Sequence, residues 1–245
     1  MGEIGIFGIK IQPLTKTEFL SLIESNLENG RKIVQSGVNA ASIVEIVNNK
    51  ELRTAILNSN LVNVDGMSVV WALRFLGYIV PERVSCPDLA EDIIALAESQ
   101  NYSIFLLGTD EKSLLLTMKK LQDEYPNLKI AGHRNGYFNA EDELGIVEMI
   151  NAAKTDILFL GMPSPKKELF VEKYKSLLTV KYFLGVGGFF DILSGLKKRA
   201  PAWMQKVGME WFYRFTQEPQ RMWRRYLIGN TRFIWLVIKE KYKKK

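Results

Sequence analysis

Asp65 is the residue most clearly placed to do chemistry. It closes an apolar, β-type run, Leu61–Val64, and with Gly66 it opens an apolar helical run, MSVVWALRF. In a parallel α/β sheet ligands gather at the carboxyl ends of strands. A carboxylate there serves either as a general base or as the cap of the next helix. Asn39 holds the equivalent place after KIVQSGV. Gly185-Val186-Gly187-Gly188 follows KYFL and precedes FFDIL, a turn whose backbone N–H groups can approach an anion closely. It matches neither the dinucleotide fingerprint nor the P-loop pattern. Asp191 lies one helical turn beyond Gly187. Tyr137, exposed after Gly136, has a ring suited to stacking on a base or sugar, whereas His133 in the same loop reads as a surface residue. Lys166 and Lys167 begin a helical run, where the helix dipole disfavours cations unless an anion sits nearby.

Metal chemistry finds no support in the residue types. No Asp-x-Asp follows an apolar strand, and the single histidine and single cysteine, His133 and Cys86, preclude a His/Cys metal cluster and any intrachain disulfide. No cofactor is implied either.

Elements able to position these residues are legible. The 245-residue chain is 47% hydrophobic and 24% charged, which excludes disorder, collagen and coiled coil. Ile4–Ile11 reads as a strand or hairpin. Lys32–Gln35, Leu61–Val64, Ser103–Leu107, Lys129–Ala131, Asp156–Leu160 and Lys181–Leu184 read as strands. Amphipathic stretches such as Leu89–Glu98, Glu111–Glu124, Glu141–Ala153 and Lys166–Leu178 alternate with them. This predicts an α/β fold, a mostly parallel, Rossmann-like sheet flanked by helices, with a helical C-terminal appendage.

The charge divides the chain at the same place. Residues 196–245 carry 14 Lys/Arg against 3 Asp/Glu and four of the five tryptophans, whereas residues 1–195 are net −5. The expected organisation is thus a catalytic core, 1–195, and a basic, Trp-rich appendage, 196–245. Trp203, Val207 and Trp211 recur at helical spacing, Pro219 suits a helix start, and Gly229-Asn230 reads as a stop with Thr231 capping a third short helix. Such a surface suits an anionic membrane face or a nucleic acid. The apolar run Phe233–Ile238 is too short to span a bilayer, and the N-terminus lacks a signal-peptide pattern. The expected location is the cytoplasm, peripheral on the inner face of the membrane. Association into a homo-oligomer stays open.

The segments, in order, resemble the WecG/TagA/CpsF family of bacterial glycosyltransferases. The resemblance rests on Asn39-Ala40, VDGMSVVWALR (64–74), PERVSCPDL (81–89), NGYF (135–138), LGMPSPKKE (160–168), GVGGFFDILSGLKKRAP (185–201) and MEWFYRFTQEPQRMWRRYLIGN (209–230). It implies transfer of N-acetylmannosamine or a related sugar from a UDP-sugar to a sugar on undecaprenyl diphosphate, in cell-surface polysaccharide or teichoic acid synthesis. Nucleic acid is then set aside as a partner, because it leaves Asp65 and the GVGG and KRAP blocks unexplained. Asp65 is assigned as base. Asn39, Arg83, Tyr137, Lys167, Gly185, Gly187, Gly188 and Asp191 are assigned to the donor, and Arg214, Arg221 and Arg224 to the acceptor diphosphate. One-step displacement without a metal would invert the anomeric centre. Gly37, Cys86 and Lys167 stand where the family pattern usually carries threonine or similar, glycine and glutamine.

Overall fold

The computed structural model describes residues 2–243, and the side chains of Arg221, Arg224 and Arg225 lie outside the described part. The chain opens with an antiparallel hairpin of β1 (Ile4–Ile6) and β2 (Ile9–Ile11). Phe7 and Gly8 take φ of 54° and 76°, the left-handed pair that a tight two-residue hairpin turn needs. Ile4, Ile6, Ile9 and Ile11 alternate inward and are all buried.

Six parallel strands form the sheet: β3 (Ile33–Val38), β4 (Leu61–Val64), β5 (Ser103–Gly108), β6 (Lys129–Arg134), β7 (Ile157–Gly161) and β8 (Tyr182–Gly185). Their order is β4-β3-β8-β7-β5-β6. Both faces are covered, so the strands read as continuous apolar runs. Ile104, Leu106, Ile157 and Phe159 face helices Lys16–Glu28, Cys86–Ser99 and Glu111–Glu124. Phe105, Leu107, Leu158 and Leu160 face helices Glu143–Ala152 and Lys166–Tyr174. The crossover from β5 runs outward to β6, and that from β7 runs the other way to β8. Where crossovers diverge, a crevice opens at the carboxyl ends of the strands.

The expected α/β fold is the observed one, and the predicted strands agree to within a few residues at each end. Helix starts follow local chemistry. Thr15 and Glu18 form a reciprocal cap, Asp110 accepts from the Ser113 N–H at 2.9 Å, and Asn39 caps helix Ala40–Asn48.

The tail departs from the expectation of three short helices. Helices Ala202–Lys206, Glu210–Gln217 and Pro219–Trp223 lead into a π-helical turn, Arg224–Ile228, which continues into helix Gly229–Lys243. Gly229-Asn230 therefore lies within a continuous helical path, where the π turn gives way to α-helix, and is not a stop. Thr231 does not cap; its hydroxyl donates back to the Leu227 carbonyl at 2.7 Å. Tertiary packing outweighs the glycine here. Phe233 and Val237 are buried in the same apolar cluster as Ile43 and Val44, and the Phe233 ring lies 6.2 Å from that of Phe7. Burying each such side chain contributes about 2 kcal/mol, more than the ~1 kcal/mol a helical glycine costs.

Candidate active site

The strand ends bring the predicted residues to one place. Asp65, Asn39, Arg83, Tyr137, Lys167, Gly185, Gly187, Gly188, Asp191 and Arg214 all line a single cavity of about 1460 Å³. Arg221 and Arg224 fall among the residues whose side chains are not described.

Asp65 leaves β4, and its own N–H donates to the Val38 carbonyl at 2.9 Å. It does not cap the helix that follows; Gly66 holds that position with no side-chain bond. Instead Asp65 Oδ1 accepts from the Cys86 N–H at 2.7 Å, the first residue of helix Cys86–Ser99. The helix dipole there favours a negative charge. The Cys86 thiol also hydrogen-bonds the carboxylate, and Asp65 so held lines the cavity.

A buried polar chain supports this arrangement. The Tyr182 hydroxyl donates to Gln35 Oε1, Gln35 Nε2 donates to Asn63 Oδ1 at 2.9 Å, and Asn63 Nδ2 donates to the Val84 carbonyl at 2.6 Å. It runs from β8 through β3 and β4 to the segment that presents the Cys86 N–H. Cys86 itself is inert. Burial, then the Asp65 charge, push its thiol well above the ordinary range, so it stays protonated. Gly37 is required by Cys86, because a Cβ at position 37 would collide with Sγ and press on the Asp65 Cβ at 3.3 Å. The two departures from the family pattern therefore meet across the carboxylate, bulk lost at 37 being offset by bulk gained at 86.

Asn39 uses Oδ1 to cap its helix, accepting from the Ala41 and Ser42 N–H groups at 3.1 and 3.2 Å. The Gly185–Gly188 turn follows β8, with Gly187 at φ 54°, a conformation glycine adopts without strain. Asp191 accepts from the Thr109 hydroxyl at 2.6 Å and pairs with Lys197 at 2.8 Å. Asp191 thus bridges the residue after β5 and the segment leading into the KRAP block. Tyr137 is 78% exposed over the cavity.

The lysines behave differently from expectation. Lys166 does not await an anion; its Nζ donates to the Gly136 and Phe138 carbonyls at 2.9 and 3.0 Å and lies over the Phe138 ring, which fixes the Tyr137 loop. Burial lowers its pKa. Lys167 crosses Gly185 and pairs with Glu168 at 2.5 Å, so its charge is already partly met. Arg83 and Arg214 share one carboxylate, Glu210, at 3.0 and 2.7 Å. Burial pushes that carboxyl up, but Arg214 and Arg83 outweigh it and hold the pKa below the ordinary 4.5. Arg83 also lies 3.8 Å from Asp88, so this cavity wall is a network of guanidinium and carboxylate groups.

Sequence reasoning missed Thr109, Glu168, Glu210 and Lys197. Thr109 was findable by the rule that found Asp65, since it directly follows the β5 run. Glu168 and Lys197 are hidden in charge runs, and the reach of Glu210 to Arg83, 127 residues away, has no local mark.

The chain matches the Glycosyl transferase WecG/TagA/CpsF family over residues 4–245. It is 30% identical over 230 residues to the N-acetylglucosaminyldiphosphoundecaprenol N-acetyl-beta-D-mannosaminyltransferase of Bacillus subtilis (strain 168), covering 94% of this chain and 88% of that protein.

Proposed function

The chain belongs to the WecG/TagA/CpsF family and is a glycosyltransferase; from that premise we propose that it moves N-acetylmannosamine from a UDP-sugar to N-acetylglucosamine on undecaprenyl diphosphate, with inversion and without a divalent metal. The name of the Bacillus subtilis relative supports the sugar and the lipid carrier. The observation that carries the chemistry is Asp65, oriented by the Cys86 N–H and lining a cavity walled by a glycine turn and by Arg83 and Arg214.

In this reading the Asp65 carboxylate takes the proton of the acceptor hydroxyl as the hydroxyl oxygen attacks the anomeric carbon. The bond from that carbon to UDP breaks, and UDP leaves with the electron pair. Charge growing on the UDP diphosphate is met by the Gly187 and Gly188 N–H groups and by Lys167, while Arg214, Arg221 and Arg224 hold the diphosphate of the acceptor. Attack opposite the leaving group turns an α-linked donor into a β-linked product. The basic, aromatic tail serves as a docking surface for an anionic membrane, each cation near the leaflet contributing on the order of 1 kcal/mol. Trp203, Trp235 and Tyr242 are exposed on it, and among the described residues no helix is long and apolar enough to cross a bilayer.

A donor screen tests the reading. UDP-N-acetylmannosamine should give a β-linked disaccharide on a lipid-diphosphate-N-acetylglucosamine acceptor, read by NMR of the anomeric proton. No product with that donor, or an α-linkage, overturns it. Turnover in excess EDTA should equal that in magnesium; loss restored by manganese or magnesium removes the metal-independent step.

A further inference from the structure

The cavity does not end at the charged residues. Beyond Asp65 it continues as an apolar groove between helices Ala40–Asn48, Met67–Phe75 and Gly229–Lys243. Trp71 and Phe75 project from one wall at four-residue spacing, which is one face of a helix. Phe233, Ile234, Val237 and Ile238 recur at the same helical period on the facing wall. Phe233 and Val237 are buried and form the floor, whereas Trp71, Phe75, Ile234 and Ile238 are between 45% and 59% exposed along the rim. Both walls run away from the reacting end. Lys241 Nζ ties their outer ends by donating to the Phe75 carbonyl at 2.9 Å.

We propose that this groove holds the first isoprene units of the acceptor's polyprenyl chain. The proposal rests on the lipid-diphosphate reading of the acceptor. It adds where the hydrocarbon goes and which residues hold it. Charge complementarity fixes the occupant and its direction. The inner end carries Arg83 and Arg214 beside Asp65, which suits a diphosphate, and beyond it the lining is mostly aliphatic and aromatic, interrupted by Ser42, Glu45, Ser68 and Asn230, which suits a branched hydrocarbon. A lipid with an anionic head and an apolar tail matches both ends of one continuous cavity. The outer end opens beside Phe75, Ile79 and Tyr242, all exposed, so the remaining chain can pass from the groove to a bilayer. Large apolar side chains left half-exposed on facing walls also mark an interaction site.

Binding of water-soluble farnesyl diphosphate, compared with inorganic pyrophosphate and measured by calorimetry without vesicles or detergent, separates the groove from simple membrane partitioning. Farnesyl diphosphate should bind at least about ten-fold tighter, since burial of apolar carbons strengthens association. Phe75→Glu and Ile234→Glu, both at exposed positions, should erase that preference, and Ile234→Leu should keep it, with circular dichroism confirming folded protein. Equal affinity for the two diphosphates in the wild type overturns the proposal, as does a preference that survives both glutamates. Failure of sugar transfer to every lipid acceptor, with the farnesyl preference intact, overturns the proposed reaction and leaves the groove standing.

Discussion

At the scale of single residues, the decisive feature is a carboxylate that is held in place and still borders the cavity. Asp65 Oδ1 accepts from the Cys86 backbone N–H, and Asp65 lines the cavity wall. A general base needs both, orientation from its hydrogen bond and access to the hydroxyl it deprotonates. Asp65→Asn preserves the shape and removes the base. Turnover should fall by roughly two to four orders of magnitude while UDP-sugar affinity, measured by calorimetry, changes little. Near-normal turnover in a folded Asp65→Asn variant would assign the proton to another group.

At the scale of elements, the fixed oxygen depends on how β3, β4 and β8 are stitched together. Tyr182, Gln35 and Asn63 are buried and linked side chain to side chain, and Asn63 reaches the Val84 carbonyl just before the Cys86 N–H. Asn63 is thus a positioning residue. Asn63→Leu leaves Gln35 Nε2 and the Val84 carbonyl without their Asn63 partners, a cost of about 2 kcal/mol in stability. Its functional signature should be a fall in kcat of about ten-fold or more, with donor KM unchanged and the acid limb of the pH–rate profile displaced. A variant that loses stability but keeps both kcat and its pH profile would show the chain to be purely structural.

Across the whole molecule, the tail is bound to the core by burial at one end and by charge at the other. Phe233 and Val237 sit in the core cluster, and Glu210 clasps Arg83 while Lys197 bridges Asp191 and Glu218. Removing residues 196–245 would expose the apolar face of helix Ala40–Asn48, so substitution is the cleaner probe of the tail. Arg221→Gln with Arg224→Gln should reduce transfer far more than liposome binding. An equal loss of both would reduce these arginines to membrane anchors. The Glu210 clasp has a pH signature. Its pKa is lowered in the fold from 4.5, so its contribution is complete above that value and is lost as pH falls through the lowered one. The Tm of Glu210→Gln should lie below wild type at neutral pH, and the gap should narrow as pH falls below 4.5. A gap that stays constant through acid unfolding would mean that Glu210 contributes nothing through its charge.

Local rules made the sheet and much of the site readable in advance. Apolar runs of strand length, alternating with amphipathic segments, dictated a parallel α/β fold, because both patterns are set by periods of two and 3.6 residues. Residues placed just after those runs, Asp65, Asn39 and the Gly185 turn, had to meet at one edge of such a sheet, and they do. Pairings across long separations carry no local signal. Glu210 with Arg83, Asp191 with Thr109 and Gly37 with Cys86 arise only when distant segments pack. Gly229-Asn230 illustrates the same limit. Its propensity says stop, yet the burial of Phe233 and Val237 against Ile43 and Val44 carries the helix through it, because tertiary packing of a helix face outweighs the preference of a single residue.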